Sequence, residues 1–154
     1  MISIIFTRSP GIASRLVRSF TGSKVSHVGV AFGIDGIRLV VHAYGRGGVQ
    51  VQRARPFLFG RTIVAEFAVL APVSLGPLLD DLGDKYDVES ILRHAARRLG
   101  IWSRSPSYSP NALVCSELVA QLPLRAFSDL NPETATPEDL LRRCLDSSEV
   151  ARLS

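Results

Sequence analysis

One cysteine and two histidines are the residues of this chain whose types and spacing suggest chemistry. Cys115 follows Pro110 closely and begins a run of apolar residues at helical spacing. The amino end of a helix favours a thiolate, and the thiolate is the nucleophilic form of cysteine. The same apolar stripe also fits a core cysteine, because free cysteine is among the most buried residue types. Cys115 alone therefore leaves both interpretations open.

The surroundings of His27 favour the catalytic interpretation. Residues 26–32 are rich in β-forming residues, and strand alternation places His27, Gly29 and Ala31 on one face. These small neighbours leave room for a helix to approach the histidine closely, whereas the opposite face resembles ordinary core. We expect His27 to be the base that takes the proton of Cys115.

A second histidine is brought near the first by a hairpin. The pair Asp35-Gly36 between two β-rich runs is a strong hairpin signal. A two-residue turn makes His42 a diagonal neighbour of His27 on the same face, about 7–8 Å away between backbones. A four-residue turn places the two directly opposite, and only a three-residue turn separates them. Two histidines within reach can act as a base and its orienter.

Other candidates are weaker. Glu66, on a later strand, is the alternative orienter, and His42 also fits a sheet histidine without a catalytic role. His94 lies among arginines and is interpreted as a surface histidine, and Cys144 as a helix-packing residue. No metal is expected, because the chain has three histidines and no C-x-x-C or H-x-x-x-H pair. The cysteines are expected to remain reduced, and no cofactor is implied.

The elements that must position these residues form an α+β pattern, an antiparallel meander followed by helices, in a single domain of 154 residues. The predicted strands cover Ile2–Phe6, Ser26–Phe32, Ile37–Ala43, Val49–Gln52 and Arg61–Leu70. The predicted helices are one that starts near Pro10 and ends at Gly22, then Leu75–Leu82, Val88–Leu99, Val114–Leu122 and Pro137–Leu145, with a loop at Trp102–Pro110.

Composition and charge exclude several classes of protein. An apolar share of 46% and a charged share of 21% indicate a folded chain rather than a disordered one. We expect no transmembrane segment and no signal peptide, hence a cytosolic protein that lysis or a larger assembly could still deliver elsewhere. The net charge of +4 comes from scattered basic residues without interleaved aromatics, so specific nucleic acid binding is not expected.

Together these pieces resemble the circularly permuted papain-like cysteine amidases, relatives of the NlpC-type cell-wall peptidases and of lecithin retinol acyltransferase. The histidine-bearing strands precede the cysteine helix, as in the permuted group. The matching pieces, in the family's order, are Ser26–Val30, Val41–Gly47, Lys85–Asp87, Val114–Val119 and Thr136–Leu141. Tyr86 in the third piece would line the cleft as the family's aromatic does, although packing explains it equally well.

The resemblance implies that Cys115 is the nucleophile, His27 the general base and His42 the polar orienter. Many permuted bacterial members carry glutamate at the position of His42, whereas the acyltransferase branch uses histidine. The Asn-Cys-Glu motif of that branch is absent, since Val114 and Ser116 flank the cysteine.

The expected function is that of a cysteine hydrolase acting on a peptide or acyl substrate. It would open an amide or peptide bond through an acyl-enzyme, with the backbone N–H of Cys115 as one oxyanion donor and the second donor unassigned. Cell-wall peptides suit the relatives and the basic charge, because peptidoglycan carries free carboxylates. The alternatives are an acyl or thioester hydrolase, an acyltransferase, and a non-catalytic binding or structural module of a phage or bacterial assembly.

Overall fold

The computed structural model describes residues 1–45, 47–86 and 112–154. The strands are β1 (Ser3–Arg8), β2 (His27–Ile34), β3 (Ile37–Tyr44), β4 (Gly48–Arg53), β5 (Thr62–Val69), β6 (Lys85–Tyr86), β7 (Ala112–Leu113) and β8 (Val150–Arg152). The helices are α1 (Ile12–Thr21), α2 (Ala54–Leu58), α3 (Gly76–Asp80), α4 (Cys115–Ala120) and α5 (Pro137–Asp146), with 3₁₀ turns at Arg125–Phe127 and Pro132–Thr134. The predicted helix Val88–Leu99 with His94, and the loop Trp102–Pro110, lie outside the described residues.

A six-stranded antiparallel sheet with helices packed against it confirms the α+β fold. The strand order is β4-β3-β2-β1-β5-β8, and β6 and β7 form a separate parallel pair. Strands β1 to β4 make the expected meander, but β5 returns to the free side of β1. The chain therefore places β1 and β2 at the centre of the sheet.

The hairpin between β2 and β3 has a two-residue turn, one of the three turn lengths that the sequence left open. Asp35 and Gly36 both have positive φ, 49° and 76°, which matches the right-handed twist of the flanking strands. Ile34 pairs with Ile37, and the same register runs down the hairpin. This register puts the two histidines on the same face.

Helices cover both faces of the sheet. The face of Val28 and Val30 forms the larger core with α4 and α5, and Cys115 belongs to this core. The histidine face forms a smaller core with α2, whose Ala54 and Phe57 are both buried. The helix that approaches the small residues of β2 is therefore α2, which the sequence analysis missed, and the cysteine helix packs on the opposite face.

Most predicted elements are found, with bounds that differ from the predicted ones by at most two residues. Helix α1 ends at Gly22, whose positive φ of 62° gives the left-handed cap that glycine favours. Helix α5 begins after Thr136, whose hydroxyl accepts the backbone N–H of Asp139. The missed elements α2 and β8 have five and three residues, too few to show a period.

Candidate functional site

The two histidines form a buried pair. His27 opens β2 and His42 lies on β3, and Nε2 of the first is 3.1 Å from Nδ1 of the second. The side chains are nearly edge to face, with ring centroids 5.2 Å apart. His27 is 8% exposed and His42 fully buried. One imidazole can thus hold the other in a fixed orientation, as a base and its orienter require.

Gly29 makes room for this pair. A Cβ at Gly29 would lie 3.2 Å from Cβ of His42 and 2.9 Å from Cγ1 of Val40 on the neighbouring strand. The small residue therefore admits cross-strand side chains. The sequence analysis expected room for a helix on this face. The helix that packs there is α2, and α4 packs against the other face.

Gln52 extends the pair into a chain of three polar side chains. It lies on β4, directly across from Val40 and diagonal to His42. Its Nε2 is 2.8 Å from Nε2 of His42. Phe57 of α2 packs on the same chain, with its ring centroid 4.9 Å from that of His42 and 5.8 Å from that of His27. The two histidines are therefore buried against Phe57, whereas Gln52 at the end of the polar chain is half-buried.

Cys115 is the first residue of α4, at the helix start that the sequence predicts. The backbone N–H of Val114 donates to the carboxylate of Glu117 at 2.8 Å and so closes this end of the helix. The thiol is 4% exposed and receives a backbone hydrogen bond from Val28, the residue after His27. Among the hydrogen bonds of the described residues, none joins this thiol to an imidazole.

Burial dominates the ionisation of the thiols. It raises the pKa of Cys115 to about 11, against smaller lowering effects of backbone hydrogen bonds, Val28 first, and of the charge on Arg61. The dipole of a helix start was expected to favour the thiolate, but α4 has only six residues and removal from water outweighs such help. Burial likewise raises the pKa of Cys144 to about 12.

The histidines are held neutral. Burial, then the charge of Arg61, then His42 lower the pKa of His27 well below its ordinary value of 6.5. Burial and Arg61 lower the pKa of His42 to about 4. The guanidinium carbon of Arg61 lies 4.8 Å from the ring centroid of Phe57 and 5.3 Å from that of Tyr44. At neutral pH both imidazoles therefore have a lone pair with which to accept a proton.

Glu66 does not contact the histidines. It lies on the same face of the sheet, but its Oε1 accepts the hydroxyl of Ser3 at 2.6 Å and pairs with the guanidinium of Arg38. The geometry therefore selects His42, and not the alternative orienter, as the partner of His27.

Thr7 is a further polar group beside the base. It lies directly across from His27 on β1, at a bulge in the pairing between β1 and β5. Its hydroxyl is fully buried and has no hydrogen-bond partner among the described residues. Bulges often redirect side chains next to functional sites. The sequence analysis missed Thr7, Gln52 and Arg61, because their relevance follows from strand register and from the short helix α2.

The described residues contain neither a metal-binding cluster nor a membrane-spanning helix. Within residues 1–45, 47–86 and 112–154, no group of three His, Cys, Asp or Glu side chains could hold a metal ion. In that same part of the chain, no helix has the length and apolar character needed to cross a membrane.

Comparison with known proteins finds a structural similarity. No protein-family model matches the chain, and no curated protein matches it. Among solved structures, it is similar to the metalloprotein yiiX from Escherichia coli O157:H7, DUF1105, with 16% sequence identity and a TM-score of 0.48. That match covers 99% of this chain and 94% of the other. A similarity of this degree carries no function from one protein to the other.

Proposed function

We propose that this chain is a cysteine hydrolase of the permuted papain-like kind, in which Cys115 attacks an acyl carbonyl with the help of His27 and His42. The observation that carries the proposal is the buried pair of neutral histidines, His27 and His42. His27 is next in sequence to Val28, whose backbone hydrogen-bonds the Cys115 thiol. A neutral imidazole held by a second side chain is the arrangement that general-base activation of a thiol needs.

The mechanism starts from a neutral thiol and a neutral imidazole. As Sγ of Cys115 bonds to the carbonyl carbon, its proton moves to Nδ1 of His27 and the carbonyl π electrons move to oxygen. Collapse expels the leaving amine, which takes that proton, and leaves a thioester. Water hydrolyses the thioester with His27 again as base. The backbone N–H of Cys115 is the proposed oxyanion donor.

The substrate class follows from the resemblance stated for the sequence. Amide or peptide bonds, including those of cell-wall peptides, are the proposed targets, with esters and thioesters as the alternative acyl substrates. Intact-mass measurement after incubation with an amide, an ester and a thioester of one acyl group decides between them. The expected result is an acyl adduct on Cys115 that Cys115→Ser lacks. A mass unchanged by all three donors would contradict the proposed reaction.

A thiol-directed probe tests the activation itself. Iodoacetamide should label Cys115 faster than Cys144, and His27→Ala should remove the difference. His94→Ala is the matched control and should leave the ratio of the two labelling rates unchanged. Far-UV circular dichroism checks that each variant folds. Equal, slow labelling of both thiols in the folded parent protein would argue against catalysis.

A non-catalytic binding module is the second candidate. The raised pKa of Cys115 and the lack of a hydrogen bond between its thiol and an imidazole of the described residues favour this candidate. In such a module the cysteine packs in the core and the histidines stabilise the hairpin. The two candidates differ in the ratio of the labelling rate of Cys115 to that of Cys144. The cysteine hydrolase requires this ratio to exceed one, whereas the binding module does not.

A further inference from the structure

Gln52 is the last side chain in the hydrogen-bonded row that runs from His27 through His42. Its amide carries two groups with opposite hydrogen-bonding character. The amide nitrogen only donates and the amide oxygen only accepts. The group that faces Nε2 of His42 therefore determines which nitrogen of that ring carries the proton. The effect passes to His27, because each neutral imidazole has one donor and one acceptor nitrogen.

The amide nitrogen of Gln52 lies 2.8 Å from Nε2 of His42 and can only donate, so Nε2 of His42 must be the acceptor. Nδ1 of His42 then carries the proton and donates to Nε2 of His27 across 3.1 Å. The proton of neutral His27 is left on Nδ1. In this arrangement neither nitrogen of His27 is open to a proton from a thiol.

A half-turn of the amide reverses the direction of every bond in the chain. Nε2 of His42 then donates to the amide oxygen of Gln52, and Nε2 of His27 donates to Nδ1 of His42. Nδ1 of His27 now has the lone pair. This nitrogen is bonded to Cγ and so lies toward the main chain, the side on which the Cys115 thiol reaches the neighbouring backbone at Val28.

We propose that Gln52 is a positioning residue that sets the tautomers of His42 and His27, and that the base is competent only when the amide oxygen faces His42. The inference rests on the proposed function for its consequence, but the tautomers are a property of the hydrogen-bonded chain itself. Two observations support it independently of catalysis. Gln52 on β4 is diagonal to His42 on β3, and its amide lies 2.8 Å from Nε2 of a histidine that is fully buried.

Three variants at position 52 test a side chain that only accepts hydrogen bonds, one that only donates them and one that does neither. Gln52→Glu offers only acceptors at neutral pH, Gln52→Lys only donors, and Gln52→Met fills the space without a strong hydrogen bond. Gln50→Met is the matched control, because Gln50 lies on β4 like Gln52 and is directly across from His42. Among the described residues, the ring of His42 is hydrogen-bonded to His27 and Gln52 and not to the side chain of Gln50. Circular dichroism and urea denaturation check that each variant is folded.

The first readout is the ¹⁵N NMR spectrum of the histidine rings, which distinguishes a protonated from an unprotonated ring nitrogen. We expect Gln52→Glu to give His42 and His27 both protonated at Nε2, and Gln52→Lys to give both protonated at Nδ1. Identical ring spectra in Gln52→Glu, Gln52→Lys and the parent protein would overturn the inference. This readout needs no activity.

The second readout is the rate at which iodoacetamide alkylates Cys115, a reaction in which the thiol proton passes to His27, sulfur bonds to the methylene carbon and iodide leaves. Gln52→Glu should react at least as fast as the parent protein, and Gln52→Lys and Gln52→Met about tenfold more slowly, as for other residues that orient a reactive group. Unchanged rates in all three variants would refute the positioning role. If Cys115 labels no faster than Cys144 in the parent protein, the proposed function falls, and the ring spectra still decide the role of Gln52.

Discussion

The neutral state of His42 predicts a specific loss of stability in acid. Burial and Arg61 lower its pKa from 6.5 to about 4 in the folded chain, whereas the unfolded chain keeps the ordinary value. Between these pH values the unfolded state binds more protons, so the free energy of unfolding falls as the pH falls. The contribution is fully present above about pH 6.5 and fully lost below about pH 4.

The magnitude follows from the two pKa values. At about 1.4 kcal/mol per pH unit, the whole gap corresponds to about 3 kcal/mol. Over an experimental window from about pH 7.5 to about pH 5, where fewer carboxylates titrate, the same pKa values give a loss of about 2 kcal/mol. This is a large part of the stability of a domain of this size.

Urea denaturation followed by far-UV circular dichroism at the two pH values measures the effect. His42→Gln removes the titrating group but keeps a side chain that can hydrogen-bond Gln52 and His27. We expect the parent protein to lose about 2 kcal/mol more than His42→Gln across the window. His94→Gln is the control for a histidine outside the pair and should behave as the parent protein does. Equal pH dependence of His42→Gln and the parent protein would refute a buried, neutral His42.

The remaining predictions concern three other features of the site and its frame. Gly48→Ala should destabilise the fold by about 2 kcal/mol or more, because a Cβ there would overlap the carbonyl of Asp84 at a φ of 62°. Gly22→Ala, at the same φ but with nothing within 4 Å, should cost about 1 kcal/mol in the same urea assay, and equal costs would contradict the overlap. Thr7→Val should leave the free energy of unfolding unchanged or raise it by about 1 kcal/mol, because it removes a buried hydroxyl that has no partner among the described residues. A loss above about 1 kcal/mol would show that the hydroxyl is hydrogen-bonded. Arg61→Gln should raise the pKa of His27 and so move the acid limb of the pH–rate profile of Cys115 labelling to higher pH. Arg61→Lys keeps the charge and should keep the profile. Coincident profiles of the parent protein and Arg61→Gln would exclude an effect of Arg61 on His27.

The sequence by itself determined the local elements and the neighbours within the hairpin. The pair Asp35-Gly36 favours a two-residue turn with two positive φ values, and that turn fixes the register that brings His42 beside His27. Pro110 and the apolar spacing likewise predict a helix start near Cys115. These features depend on residues close together in the chain, whose geometry the backbone itself restricts.

Only the tertiary structure decided which groups lie around those histidines and how they ionise. Phe57 reaches the site through a helix of five residues, too short for a pattern, and Arg61 through the turn that follows this helix. Gln52 reaches the site through the pairing of β3 with β4. The face on which the cysteine helix packs, and the burial that raises the pKa of Cys115, depend on contacts between segments far apart in the chain. Desolvation is a property of everything that surrounds a group, so no local run of residues can specify it.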